Sequence, residues 1–296
     1  MPTQPKAAVD PDRLPMTLPR LAEKKRLGEP IVMITAYDYP SALVAEQAGV
    51  DCVLVGDSAA EVVLGYDSTV AVSLEEMLML ATATRRGLQT PLLVGDLPFG
   101  SYEASDELAV LSAQRFVKEA GVDAVKLEGG GPSQASRVAA IVAAGIPVMG
   151  HVGLTPQSSV ALGGRRAQGR TADRALELAR AARALEAAGC FAIVFEAIPA
   201  AVAASLTQFL SIPVIGIGAG PDTDGQVLVL HDLLGSPARR RAPRFAKQYA
   251  DLHAQMLAAV GEYADDVRAG RFPNTEHTFA IDPAELAAFD EGLGAL

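Results

Sequence analysis

The sequence contains no tryptophan, and phenylalanine and tyrosine bring its aromatic content to only 5%. It has two cysteines, Cys52 and Cys190, four histidines, and fewer basic than acidic residues. Each shortage excludes a class of protein. Two cysteines cannot staple a disulfide scaffold. With 25 Lys and Arg against 35 Asp and Glu, the net charge is −10, which repels phosphate backbones and argues against a nucleic-acid partner. No apolar run reaches the roughly 18 residues that span a bilayer, so no membrane is expected. The N-terminus lacks the charged-then-apolar pattern of a secretion signal, so the expected location is the cytoplasm. Half of the 296 residues are nevertheless hydrophobic, enough to bury a core and exclude disorder. Aliphatic Ala, Val, Leu and Ile supply that content, which suits parallel strands covered by helices.

Residues 1–30 read as a Pro-rich, charged lead with one short helix near Leu18–Leu27. From Ile31 a single unit repeats: a short β-branched run ending in a polar residue, then a helical stretch closing in glycine. The runs are Ile31–Asp38, Cys52–Asp57, Pro91–Pro98, Ala124–Gly129, Pro147–Gly153, Ala192–Pro199 and Pro213–Gly220, with Gln226–Asp232 a less marked eighth. Helix stops are expected at Gly49, Gly87, Gly121, Gly145 and Gly189, because glycine tolerates the left-handed conformation there. Eight strands alternating with helices predict a (β/α)8 TIM barrel, read as a single domain over residues 1–296. An open doubly wound sheet is the alternative, but its Gly-rich first turn is missing from Tyr37-Asp38-Tyr39-Pro40. The tail from about residue 245, strongly helical over Phe245–Arg268, forms a C-terminal helical extension and is where subunit contacts are expected.

The acids fall at strand ends, which form the mouth of a barrel. They are Asp38, Asp57, Asp96, Glu128 and Glu196, joined by Lys126 and His151. Asp38, just before Pro40, reads as a helix cap. Glu128 and Glu196 lie inside apolar runs, where a carboxylate must face a partner, a metal or a cavity. A Lys126–Glu128 ion pair within one strand is the structural alternative, since residues two apart share a face. Converging carboxylates suit a hard cation such as Mg2+ or Mn2+. His151 reads as a ligand or as a residue supporting the site from behind. Cys52 and Cys190 begin strands and read as core thiols. Gly216–Gly220 is either a phosphate-binding turn or a tight turn, and the Arg-rich loop Gly163–Arg170 suggests an anionic substrate.

The ordered set of motifs resembles the ketopantoate hydroxymethyltransferase family over about residues 18–280. It comprises Ile34-Thr-Ala-Tyr-Asp-Tyr39, Val55-Gly-Asp-Ser58, Leu64-Gly-Tyr-Asp-Ser-Thr69, Asp96-Leu-Pro-Phe-Gly-Ser-Tyr102 and Val125-Lys-Leu-Glu-Gly-Gly130. Gly150-His-Val-Gly-Leu-Thr-Pro-Gln-Ser158, Gln168-Gly-Arg170, Gly216-Ile-Gly-Ala-Gly220, Asp224-Gly-Gln226 and Glu276-His277 complete it. The chain departs from many members in reading Ala59-Ala60-Glu61 after the second strand.

The resemblance implies a TIM barrel with a Mg2+ site at Asp57, Asp96 and Glu128. Substrate contacts are implied at Asp57, Ser58, Asp96 and Lys126, and a catalytic base at Glu196. It further implies 3-methyl-2-oxobutanoate, a small keto acid, as substrate and 5,10-methylenetetrahydrofolate as co-substrate, with 2-dehydropantoate as product on the route to pantothenate. A homo-oligomer, a decamer in many members, is also implied. Two other readings of the same residues are a Mg2+-dependent lyase or mutase of the isocitrate lyase type and a non-catalytic barrel. The first usually carries a cysteine in a lid loop, which Gly129–Ser133 lacks.

Overall fold

The computed structural model describes residues 13–161, 163–164, 166–236 and 243–296. Eight parallel strands close into a barrel in chain order. They are β1 (Ile31–Thr35), β2 (Cys52–Val55), β3 (Leu92–Asp96), β4 (Ala124–Lys126), β5 (Val148–Gly153), β6 (Ala192–Glu196), β7 (Val214–Ile217) and β8 (Gly225–Leu228). The ring closes where Ile31 of β1 pairs with Gly225 and Ile34 with Leu228. The helices are α1 (Leu18–Leu27), α2 (Tyr39–Ala48), α3 (Ala59–Val62), α4 (Leu74–Arg85), α5 (Asp106–Arg115) and α6 (Pro132–Ala143). They continue with α7 (Ala172–Ala187), α8 (Ala200–Phe209), α9 (Leu230–Leu234), α10 (Leu252–Arg268) and α11 (Pro283–Gly294). This is the expected (β/α)8 barrel with an N-terminal helix and a C-terminal helical extension. None of the described helices is long and apolar enough to cross a membrane.

Local chemistry explains the element ends. Asp38 caps α2, accepting from the Ser41 amide at 2.8 Å. Glycine stops α2 at Gly49, whose φ of 76° is left-handed. Gly87, also expected to be a left-handed stop, is instead a point of close approach: a Cβ there would meet the Ala42 Cβ at 2.7 Å and the Tyr39 carbonyl at 2.9 Å. The eighth strand is shorter than expected, because Leu230–Leu234 winds into α9, with the Leu230 amide donating to Thr35 Oγ1. The C-terminal helix starts at Leu252 rather than near Phe245, where Asp251 accepts from the Ala254 amide.

Two apolar layers follow from the period-2 alternation of strands. One packs strand residues such as Val53, Leu93, Val125, Ile193 and Phe195 against the helices. The other fills the barrel interior with Met33, Leu54, Val94, Ala124, Met149, Val194, Ile215 and Val227. Cys52 joins the inner layer and Cys190 the outer, both as free buried thiols. Beneath the inner layer α1 plugs the barrel with Leu21, which is 1% exposed. Lys24 of the plug pairs with Asp51 at 2.8 Å, and Lys25 with Asp224 at 2.6 Å. Both acids also accept strand amides at 2.8 Å, from Val32 and Val214 respectively. Asp123 does the same for Leu93. These floor carboxylates satisfy donors that a barrel otherwise leaves bare at its N-terminal end.

Candidate active site

At the mouth the same alternation turns inward-facing positions from apolar to charged. Two residues beyond Val94 comes Asp96, beyond Ala124 Lys126, beyond Met149 His151, and beyond Val194 Glu196. Asp57 and Ser58 follow β2, and Glu128 lies two residues past the end of β4. Asp57, Ser58, Asp96, Lys126, Glu128, His151 and Glu196 all line one cavity of about 100 Å3. Thus every residue expected at the site is brought to one place. Glu61 of the divergent stretch lines it as well.

The cluster is dense in charge and nearly dry. Asp57, the most exposed of its five deepest ionisable residues, is only 5% accessible. Lys126 Nζ bonds Asp96 Oδ1 at 2.6 Å. Its partner is therefore Asp96, not Glu128 two residues further along the chain. The β3–β4 register sets Asp96 directly beside Lys126, and adjacent strands lie closer than positions two apart along one strand. Although burial opposes its charge, the surrounding Asp96, Glu128 and Asp57 raise the Lys126 pKa and keep it an ammonium.

His151 spans two acids, with Nδ1 3.4 Å from Glu128 Oε1 and Nε2 3.3 Å from Glu196 Oε2. Burial and Lys126 push its pKa down, but the two carboxylates outweigh them and raise it to about 9. That value favours the imidazolium at neutral pH, between the two carboxylates. For Glu128, burial acts upward, yet His151, Lys126 and the Gln157 amide hold it below the usual carboxylate range. Asp57 moves the other way. Burial first, then the charges of Asp96 and Glu128, raise it well above its ordinary value. Asp96 is also raised, chiefly by burial.

Two residues that carried no expected role organise the site. Gln157 Nε2 donates to Asp57 Oδ2 at 2.9 Å and to the Leu97 carbonyl at 3.1 Å, while its amide donates to Glu128 Oε2 at 3.0 Å. Tyr102 Oη in turn donates to Gln157 Oε1 at 2.6 Å. Both stand inside quoted motifs, so the motifs were the only available signal. Tyr37 Oη lies 2.8 Å from Ser58 Oγ and fixes that hydroxyl.

The backbone around Glu196 is tightly determined. Its carbonyl accepts from the Leu154 amide at 2.8 Å, and a Cβ on Gly153 would stand 2.1 Å from the same oxygen. Ala197, the next residue, has a φ of 50° and is the one non-glycine residue in the left-handed region among those described. Strain of this kind persists where surrounding contacts over-determine a functional position.

The donor set bears on a metal. Four carboxylates (Asp57, Asp96, Glu128, Glu196) face two cations, Lys126 and His151, leaving a surplus of negative charge. Glu128 is turned to His151 and Gln157. Among the described residues no group of three His, Cys, Asp or Glu side chains is arranged to hold a metal ion. Asp57 and Asp96 are hard oxygen donors as well, each likewise bonded, to Gln157 Nε2 and to Lys126 Nζ. The glycine-rich turn after β7 is a tight one: Gly218 and Gly220 have φ of 63° and 85°, and Cβ atoms there would strike Phe245 and Ala200. In the Arg-rich loop, Arg165 lies outside the described residues, Arg166 and Arg170 are exposed, and the Gln168 amide ties the loop to the Ala197 carbonyl.

A sequence model described as ketopantoate hydroxymethyltransferase matches residues 15–275. The chain is 55% identical to 3-methyl-2-oxobutanoate hydroxymethyltransferase of Moorella thermoacetica, with 89% of this chain and 97% of that protein covered. It is 52% identical to the mitochondrial 3-methyl-2-oxobutanoate hydroxymethyltransferase 1 of Oryza sativa subsp. japonica, covering 94% and 78%. Among solved structures, a phosphonopyruvate hydrolase complexed with oxalate and Mg2+ has the same fold, with a TM-score of 0.59 at 16% identity over 95% of this chain and 97% of that one. Sequence over nearly the whole chain, and a mouth that gathers every expected residue, lead to one conclusion: the chain belongs to the ketopantoate hydroxymethyltransferase family.

Proposed function

We propose that the chain transfers a one-carbon unit from 5,10-methylenetetrahydrofolate to C3 of 3-methyl-2-oxobutanoate, giving 2-dehydropantoate for pantothenate synthesis. The observation that carries this reading is an asymmetry among the acids. The Glu196 side chain is 16% exposed, whereas those of Asp96 and Glu128 are 2% exposed. Closed acids bind; the open one meets a substrate proton.

Asp57 and Asp96 fit Mg2+, which commonly takes one or two carboxylates and completes its shell with substrate and water. Bound there, Mg2+ would polarise the keto carbonyl and make the C3 hydrogen more acidic. Ser58 and the Lys126 ammonium bind the anionic keto acid. Glu196 takes the C3 proton, and the Lys126 charge stabilises the negative charge that develops. C3 then bonds to the donor's methylene carbon, the methylene–nitrogen bonds break, and tetrahydrofolate leaves. One water is consumed and supplies the hydroxyl oxygen. A Schiff base at Lys126 is disfavoured, since amine attack needs the neutral form and the raised pKa keeps it charged. Excess EDTA is expected to abolish transfer and added Mg2+ to restore it, followed as 2-dehydropantoate formed. Undiminished activity in EDTA counts against the metal.

The chain also acts as a homo-oligomer in this reading. No residue of α10 or α11 is buried, and Met256, Leu257, Val260 and Phe289 are all more than half exposed. Apolar surface on that scale marks an interaction site. Sedimentation of the full chain is expected to show a multimer, and of a chain ending at residue 250 a smaller species. A full-length monomer at micromolar concentration overturns the assignment.

A further inference from the structure

A second cavity of about 650 Å3 opens directly beside the first. The two share Pro156, Glu196, Pro243 and Phe245, so Glu196 stands at their junction. The inner one, about 100 Å3, is lined by the buried charged cluster. The outer one has apolar walls in Leu154, Ala167 and the Phe245 ring, which lies on the bare backbone of Gly218. Its size falls within the range of pockets that hold cofactor-sized molecules. Arg166 and Arg244 also line it. Neither guanidinium has a hydrogen-bond or carboxylate partner among the described residues; Arg86, Arg170 and Arg180 share this, whereas Arg26, Arg85, Arg115, Arg137, Arg174, Arg183, Arg268 and Arg271 are paired.

Two unpaired cations line this one groove on a chain of net charge −10. They suit an anionic ligand, and guanidinium groups match carboxylates in geometry as well as charge. A flat ring system finds an aromatic face in Phe245. The methylene carbon must arrive beside C3 of the keto acid, where Glu196 has removed the proton, and that is where the cavities meet.

We infer that this outer groove is the donor subsite: it takes the pterin end of the folate near Phe245 and Glu196, and Arg166 and Arg244 hold the carboxylates of the glutamate tail. The inference rests on the reaction proposed above. It makes the Arg-rich loop a determinant of the donor rather than of the keto acid.

The test is equilibrium dialysis of the intact chain against two ligands: tetrahydrofolate, and 6-methyltetrahydropterin, which lacks the aminobenzoylglutamate tail. The variant Arg166→Ala/Arg244→Ala is expected to bind tetrahydrofolate at least 10-fold more weakly than the wild type, with no comparable loss for the tail-less pterin. In steady-state assays its KM for the folate donor is expected to rise more than its KM for the keto acid. Arg174→Ala, on the exposed face of α7, serves as the control for loss of one surface arginine. Equal affinity of the double variant and wild type for tetrahydrofolate overturns the subsite while leaving the reaction intact, and so does an equal loss for both ligands. Failure of the wild type to bind tetrahydrofolate overturns the subsite and the folate reading together.

Discussion

Glu196→Gln is expected to slow exchange of the C3 proton of 3-methyl-2-oxobutanoate with solvent by about 10²–10⁴-fold, the contribution of a positioned general base. The substitution keeps the size of the side chain and one oxygen, and removes only the capacity to take a proton. The surrounding structure should hold, because what fixes residue 196 is mostly backbone: the Leu154 amide on its carbonyl and the left-handed turn at Ala197. Exchange in D2O, read by NMR without any folate present, isolates this step from transfer. Exchange at the wild-type rate would remove Glu196 from the role of base.

The second large effect is expected at Lys126. Lys126→Met preserves much of the side-chain volume but strips the one ammonium from among Asp57, Asp96 and Glu128. Removing one partner of a buried ion pair costs about 3–5 kcal/mol, a sizeable share of the roughly 5–15 kcal/mol that holds a typical domain folded. Urea unfolding should show the loss as a lower midpoint at unchanged slope. Activity should fall by about 10²–10³-fold, the usual cost of losing one preorganised group that stabilises developing negative charge. A Met variant as stable and active as the wild type would mean that the cluster carries protons in place of its cation.

The mouth residues were legible in the sequence because a carboxylate inside an apolar β run has few bland explanations. Glu128 and Glu196 declared themselves in that way, and Asp38 declared itself a cap by standing one residue before a helix that begins Tyr39-Pro40. The partner of Lys126 was not legible, since it depends on the register between β3 and β4, which no single strand encodes. Gln157 and Tyr102 were hidden for a related reason. An uncharged glutamine in a turn looks like any solvated turn residue until the fold brings it to Asp57, 100 positions away. The floor acids Asp51, Asp123 and Asp224 were missed because an aspartate beside a strand reads equally as a turn former. Even the overextended eighth strand has this character: Val229 and Leu230 continue the apolar run, yet the chain turns there into α9, with the Leu230 amide on the Thr35 hydroxyl.

The α1 plug has a consequence for how the chain comes to be folded. Its Lys25 meets Asp224 across 199 positions, and β1 finds its second neighbour only in β8. Any sheet built from the first seven strands alone therefore has two open edges, and the floor of the barrel has one of its two lysine contacts unmade. Long-range closure of this kind is slow, and unpaired edges invite association with other chains. Lys24 has Asp51 almost from the start, whereas Lys25 has no Asp224 to meet until β8 is being made, so closure of the ring is a late event.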